Sequence, residues 1–147
     1  MATENCEMII YGHLPLMTTH QCPIGNYDGN KNNHRYCEKR FTIEKYYLKD
    51  RKGEEFYILP DCYQCVCSIL NGKPLFTLKF YDEVAQSPTS YGRLIFTNES
   101  AAETDNIISA YIDMNNNPAK PSLKVKRLIT QMREKGSTKG HYFRGIE

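Results

Sequence analysis

Cysteine placement constrains this chain more than any other feature. Cys22, Cys37, Cys62, Cys65 and Cys67 fall in one stretch, Cys6 stands apart near the start, and no cysteine follows Cys67. Thiols gathered in one region favour a metal or iron–sulfur centre over scattered core packing. Cys62 and Cys65 form a Cys-x-x-Cys pair, a common zinc half-site and also a common redox motif. Two further thiols nearby make a four-thiolate site, with Cys22, Cys37, Cys62 and Cys65 as the candidate metal ligands. Cys67 competes with Cys62 for the fourth place. An extended backbone sends Cys65 and Cys67 to opposite sides, so Cys67 is expected in the core and Cys62 beside Cys65 on one face of a turn. The bland alternative is that all of them are ordinary buried thiols packing as small hydrophobes.

The compartment bears on that choice. The segment from Met1 to Cys6 is polar and has neither a basic n-region nor an apolar h-region. A cytoplasmic protein is therefore expected, and reduced thiols or a metal centre are favoured over three disulfides. No run approaches the roughly 20 apolar residues of a membrane helix, so no membrane partner is expected. At 147 residues and 40% hydrophobic content the chain has the size of one domain and enough apolar residues for a core. Within it, residues 1–74 read as a cysteine-rich metal-site part and residues 75–147 as a βα part with a basic helix and tail.

The net charge is only +2, but its distribution is uneven. Beyond Lys120 the chain is rich in Lys and Arg, and Glu134 is the only acid before Arg144. Lys124, Lys126, Arg127, Arg133, Lys139 and Arg144 are candidate phosphate contacts for RNA. A solvated helix face with a charged end explains the same residues without a partner.

Local patterns predict the elements. Met8 to Tyr11 is a short apolar run ended by Gly12, which fits a buried strand. His13 to Cys22 reads as an extended loop broken by Pro15 and Pro23. Lys45–Lys49 and Glu55–Leu59 flank the turn signal Asp50-Arg51-Lys52-Gly53, the pattern of a hairpin. Residues 75–78 and 93–97 are strand candidates, and 80–86 a short helix. Ser100 with Glu103 three residues on predicts a capped helix, with Ile107, Ile108, Tyr111 and Ile112 on its buried face. Residues 122–135 predict a basic helix. Strand and helix alternation in the second half suggests parallel βα units.

Other chemistry is thinly marked. His13 and His20 could activate a thiolate nucleophile, but their spacing fixes no geometry. Asp50 suits its turn and Asp61 a cap. Neither a Gly-rich phosphate loop nor a Gly-x-Ser-x-Gly elbow occurs.

Several runs in order resemble one family. They are Tyr11-Gly12-His13-Leu14-Pro15-Leu16-Met17, Cys22-Pro23-Ile24-Gly25, Tyr47-Leu48-Lys49-Asp50-Arg51-Lys52-Gly53, Asp61-Cys62-Tyr63-Gln64-Cys65 with Ile69 and Asn71, and the closing Lys139-Gly140-His141-Tyr142-Phe143-Arg144-Gly145-Ile146-Glu147. Together they look like the C-terminal part of the collagenase-like peptidase family, peptidase family U-32, from Met8 to the end. The resemblance implies the later βα units of an incomplete TIM-like barrel, with a cysteine-bearing β-hairpin insertion. It implies a peptidase by name. It also implies kinship with proteins that hydroxylate transfer RNA, ribosomal RNA or ubiquinone precursors and hold an iron–sulfur cluster, most simply four-iron, four-sulfur, on four cysteines. By position Cys22, Cys37 and Cys65 fit that pattern and Cys62 is the fourth. Some branches carry a further cysteine in the loop where this chain has Pro15 and Met17. The N-terminal barrel half, or a partner subunit in its place, would then be a partner. The readings that compete are a peptidase and a zinc-stabilised, non-catalytic binding module.

Overall fold

The computed structural model describes residues 6–27, 46–140 and 142. The chain divides into two units. One joins Met1–His13 to Lys73–Glu147, and the other is Leu14–Gly72.

The first unit is built on strand β1 (Glu7–Gly12), formed by the predicted apolar run. It is the middle strand of a three-stranded sheet. Its antiparallel neighbour β6 (Leu75–Phe76) pairs Tyr11 with Phe76, and its parallel neighbour β7 (Tyr91–Leu94) pairs Ile9 with Arg93. The sheet is thus mixed, where alternation in the second half suggested parallel units. The parallel pair needs a long crossover, and the 3₁₀ turn Leu78–Phe80 and helix α2 (Tyr81–Ala85) lie in that connection. The two strands also run differently from the prediction. β6 ends at Phe76 because the 3₁₀ turn begins two residues on. β7 ends at Leu94, and the N–H groups of Thr97 and Asn98 instead donate to the Glu99 carboxylate at 2.7 and 3.2 Å. Gly12 has φ +134°. A Cβ there would overlap the Ile95 carbonyl oxygen and lie 2.9 Å from the Ile95 Cβ, so only glycine fits.

Helix α3 (Ala101–Asn116) starts at the predicted capping box. The Ser100 hydroxyl accepts from the Glu103 N–H at 3.3 Å, and Glu103 Oε2 accepts from the Ser100 N–H at 3.0 Å. Its buried stripe is Ile107, Ala110, Tyr111 and Met114, spaced at three and four residues. Ile108 and Ile112, expected on that face, are 37% and 56% exposed. The reason is geometric. Each residue turns the helix about 100°, and Ala110, too small to mark a core by itself, is fully buried in the inward stripe. Helix α4 (Leu123–Lys135) begins at Ser122, whose hydroxyl accepts from Val125 N–H at 3.3 Å. It buries Val125, Leu128 and Met132. These residues share one core with Ile10, Phe76 and Tyr111. The Tyr111 hydroxyl donates to the Ile10 carbonyl at 2.8 Å and accepts from the Thr77 N–H at 3.2 Å, so the buried polar groups are satisfied.

The second unit is an antiparallel sheet in which β2 (Pro15–Thr19), β5 (Val66–Leu70), β4 (Glu55–Asp61) and β3 (Tyr47–Lys49) lie side by side in that order. The predicted hairpin is present as β3 (Tyr47–Lys49) and β4 (Glu55–Asp61). Asp50 Oδ1 closes its turn by accepting from the N–H groups of Lys52 and Glu54 at 2.7 and 2.9 Å, and Gly53 takes φ +85°. A second hairpin joins β4 to β5 (Val66–Leu70). The segment expected as a loop contains strand β2 (Pro15–Thr19), paired with β5. Leu16 and Met17 are exposed, so this edge strand has no apolar alternation to betray it, and Pro15 occupies its first position, where proline is tolerated.

The fold is therefore a mixed α/β arrangement of sheets and helices, with no closed barrel among the described residues. Among those residues no helix is long and apolar enough to cross a membrane.

Candidate metal centre

Four of the cysteines stand on two structural features of the second unit. Cys22 follows β2 and precedes the short helix α1 (Pro23–Tyr27). Pro23 suits the first helical position, where no N–H is needed. The Gly25 N–H donates to Cys22 Sγ at 3.2 Å and the Asn26 N–H to the Cys22 carbonyl at 3.1 Å, so this turn fixes the sulfur. Cys67 lies in β5, where Cys67 and Ile69 point inward and alternate with the half-buried Val66 and Ser68. The β2–β5 ladder pairs Thr19 with Cys67. It thereby carries the Cys22 loop over the same strand, and Cys67 Sγ lies 3.5 Å from Cys22 Sγ.

Cys62 and Cys65 stand on the turn between β4 and β5. Asp61 Oδ1 organises that turn by accepting from the N–H groups of Tyr63 and Gln64, each at 3.0 Å. Asp61 is the cap that the sequence suggested. Cys62 is half-buried and Cys65 exposed. Cys65 has φ +53°, a left-handed conformation uncommon outside glycine. An open cleft of about 670 Å³ lies against this turn, lined by residues that include Leu59, Asp61, Cys62 and Tyr63.

Electrostatics tie the two features together. The Cys67 thiol is pushed up to about 12, first by burial, then by its hydrogen bond to Cys22 and by the charges of Cys22, Cys62 and Cys65. Burial of Cys67 agrees with the core position expected of it. Its contact with Cys22 is what spacing alone did not reveal.

These residues fit a thiolate centre in part. Two thiolates on one tetrahedral metal at about 2.3 Å lie roughly 3.8 Å apart, close to the Cys22–Cys67 separation. Among the described residues, however, no three His, Cys, Asp or Glu side chains converge on one point. Cys37 lies outside the described residues. Cys6 belongs to the first unit and is exposed.

The basic candidates lie in the first unit. Lys124, Lys126, Arg127 and Arg133 are all exposed on α4. Helical spacing puts Lys124 and Arg127 on one flank of the buried stripe, and Lys126 and Arg133 two turns apart on the other. Lys139 sits 4.4 Å from the centre of the Phe80 ring, a cation–π contact. Arg144 lies outside the described residues.

No protein-family model matches the chain, and neither a curated protein nor a solved structure is significantly similar to it.

Proposed function

We propose that this chain is the C-terminal part of a collagenase-like peptidase family protein, holding an iron–sulfur cluster and acting in RNA hydroxylation. One observation carries the reading. Cys22 Sγ lies 3.5 Å from Cys67 Sγ, and Cys62 and Cys65 stand on the turn that leads into the same strand β5, so thiols of distant sequence segments meet at one strand and its turn. Cys22, Cys62 and Cys65, with Cys37, would hold the cluster, which when bound supplies one-electron redox chemistry. The Gly25 N–H on Cys22 and the Asp61-built turn under Cys62 and Cys65 would orient those sulfurs. The parallel β1–β7 pair is the part of this sheet that a TIM-like barrel would share, whereas β6 runs antiparallel to β1. Lys124, Lys126, Arg127 and Arg133 would make phosphate contacts with RNA.

Anaerobic purification with iron, sulfide and zinc analysis tests this. Near-stoichiometric iron and sulfide are expected, lost in Cys37→Ala and Cys65→Ala and kept in Cys6→Ala. Unchanged metal in Cys65→Ala would defeat the ligand assignment. A second reading, a zinc-stabilised binding module, is favoured by the tetrahedral spacing of Cys22 and Cys67. Colourless protein with bound zinc and no sulfide would select it.

A further inference from the structure

We propose that Cys22 and Cys67 are a redox pair, joined by low-molecular-weight disulfides into a bond that blocks metal loading. The blocking rests on the thiolate centre proposed above. The bond itself does not.

The two sulfurs are 3.5 Å apart and both thiols are free. A disulfide needs about 2.05 Å, so bonding requires the sulfurs to close by roughly 1.5 Å. The pair is also asymmetric. Cys22 is half-buried, while Cys67 is 1% exposed and shielded. Cys67 is held by ladders on both sides, opposite Thr19 and Pro60. The sulfur of Cys22 is set by the Gly25 N–H. A reagent therefore meets Cys22 first, and the thiol already in contact with it resolves the adduct.

The step balances. Cys22 sulfur attacks one sulfur of an external disulfide RSSR, giving a Cys22–SR mixed disulfide and one RSH. Cys67 sulfur attacks Cys22 sulfur as its proton passes to the departing RS⁻, releasing the second RSH. The two protein thiols are oxidised by two electrons, RSSR is reduced, and both thiol protons leave with the two RSH. The competing pair, Cys62 and Cys65, belongs to a single turn whose Cys65 already holds a left-handed φ.

The test uses the whole 147-residue chain, reduced and stripped of metal, exposed to glutathione disulfide, acid-quenched, alkylated and mapped by mass spectrometry. A cross-link between the peptides carrying Cys22 and Cys67 is expected. In Cys67→Ser the reaction should stop at a glutathione adduct on Cys22, whereas Cys62→Ser should still cross-link. The oxidised wild type should take up neither iron with sulfide nor zinc until reduced. A Cys62–Cys65 bond, a Cys22–Cys37 bond, or Cys22 and Cys67 both remaining alkylatable would overturn the pair. If Cys67→Ser does not fold, the wild-type map decides alone. Oxidised protein that loads metal as well as the reduced form would overturn the blocking. Reduced wild type that binds no metal would instead remove the centre, and the map would still judge the bond.

Discussion

Removing one buried oxygen should cost the first unit a large share of its stability. In Tyr111→Phe the ring stays and only the hydroxyl goes. That hydroxyl is the acceptor for the Thr77 N–H at 3.2 Å and a donor to the Ile10 carbonyl at 2.8 Å. The Ile10 carbonyl keeps a second donor, the Thr77 hydroxyl at 3.0 Å. The Thr77 N–H does not keep an acceptor, and both Thr77 and Tyr111 are buried. An orphaned buried donor costs about 1–3 kcal/mol, so a loss near 2 kcal/mol is expected, roughly thirtyfold in the folding equilibrium. Urea unfolding followed by circular dichroism measures the shift. Hydrogen exchange at the Thr77 amide reports the same loss locally. A shift below about 0.5 kcal/mol, with Thr77 exchanging as slowly as in the wild type, would refute the reasoning.

Gly12→Ala should lower stability by about 2 kcal/mol or more, since its φ of +134° and the Ile95 backbone leave no space for a Cβ; an unchanged urea midpoint would contradict this. Glu103→Ala should cost about 1 kcal/mol by removing the capping-box acceptor, read from the same titration. The Glu103 carboxyl is held down to about 2, first by the Lys135 ammonium at 2.9 Å and then by Ser100. A lowered carboxyl contributes stability above its unfolded value of 4.5, and that contribution fades as pH falls through about 2. Half-exposure of both side chains makes the Lys135 share salt-sensitive, so the gap between wild type and Glu103→Gln should narrow in acid and in high salt. At the other extreme burial pushes Tyr111 up from 10.0 to about 12. The folded state keeps a proton that the unfolded chain releases, so stability is intact below 10 and falls as pH rises towards 12. Tyr111→Phe should make that alkaline limb shallower in a pH series of unfolding midpoints, the remainder coming from Tyr11, which burial and the Glu99 carboxylate also push up.

How much of this was legible in the residues depended on whether the cause was local. The Ser100–Glu103 box and the Asp50–Gly53 turn close their hydrogen bonds within a few residues, so the sequence carries the whole signal. Strand β2 is different. Its side chains are largely exposed and its only reason to be extended is the distant ladder to β5. The face of α3 is legible only in part, through Ile107 and Tyr111, for a related reason. Isoleucines at 108 and 112 look like core, while Ala110, which sits against the core with no exposure, carries almost no hydrophobic weight.

The cysteines combine both cases. Their clustering is a property of the sequence, and Asp61 before Cys62 announces the turn that carries two of them. Which sulfur meets which is decided by strand register, because side chains alternate with a period of two residues along β5. The pairing of Thr19 with Cys67 turns the residue chosen for the core into the neighbour of Cys22. A slip of one residue in that ladder would turn Cys67 outward and separate the pair. The Cys22–Cys67 contact therefore reports the β2–β5 register, and whatever stabilises that register also governs the chemistry open to the thiols.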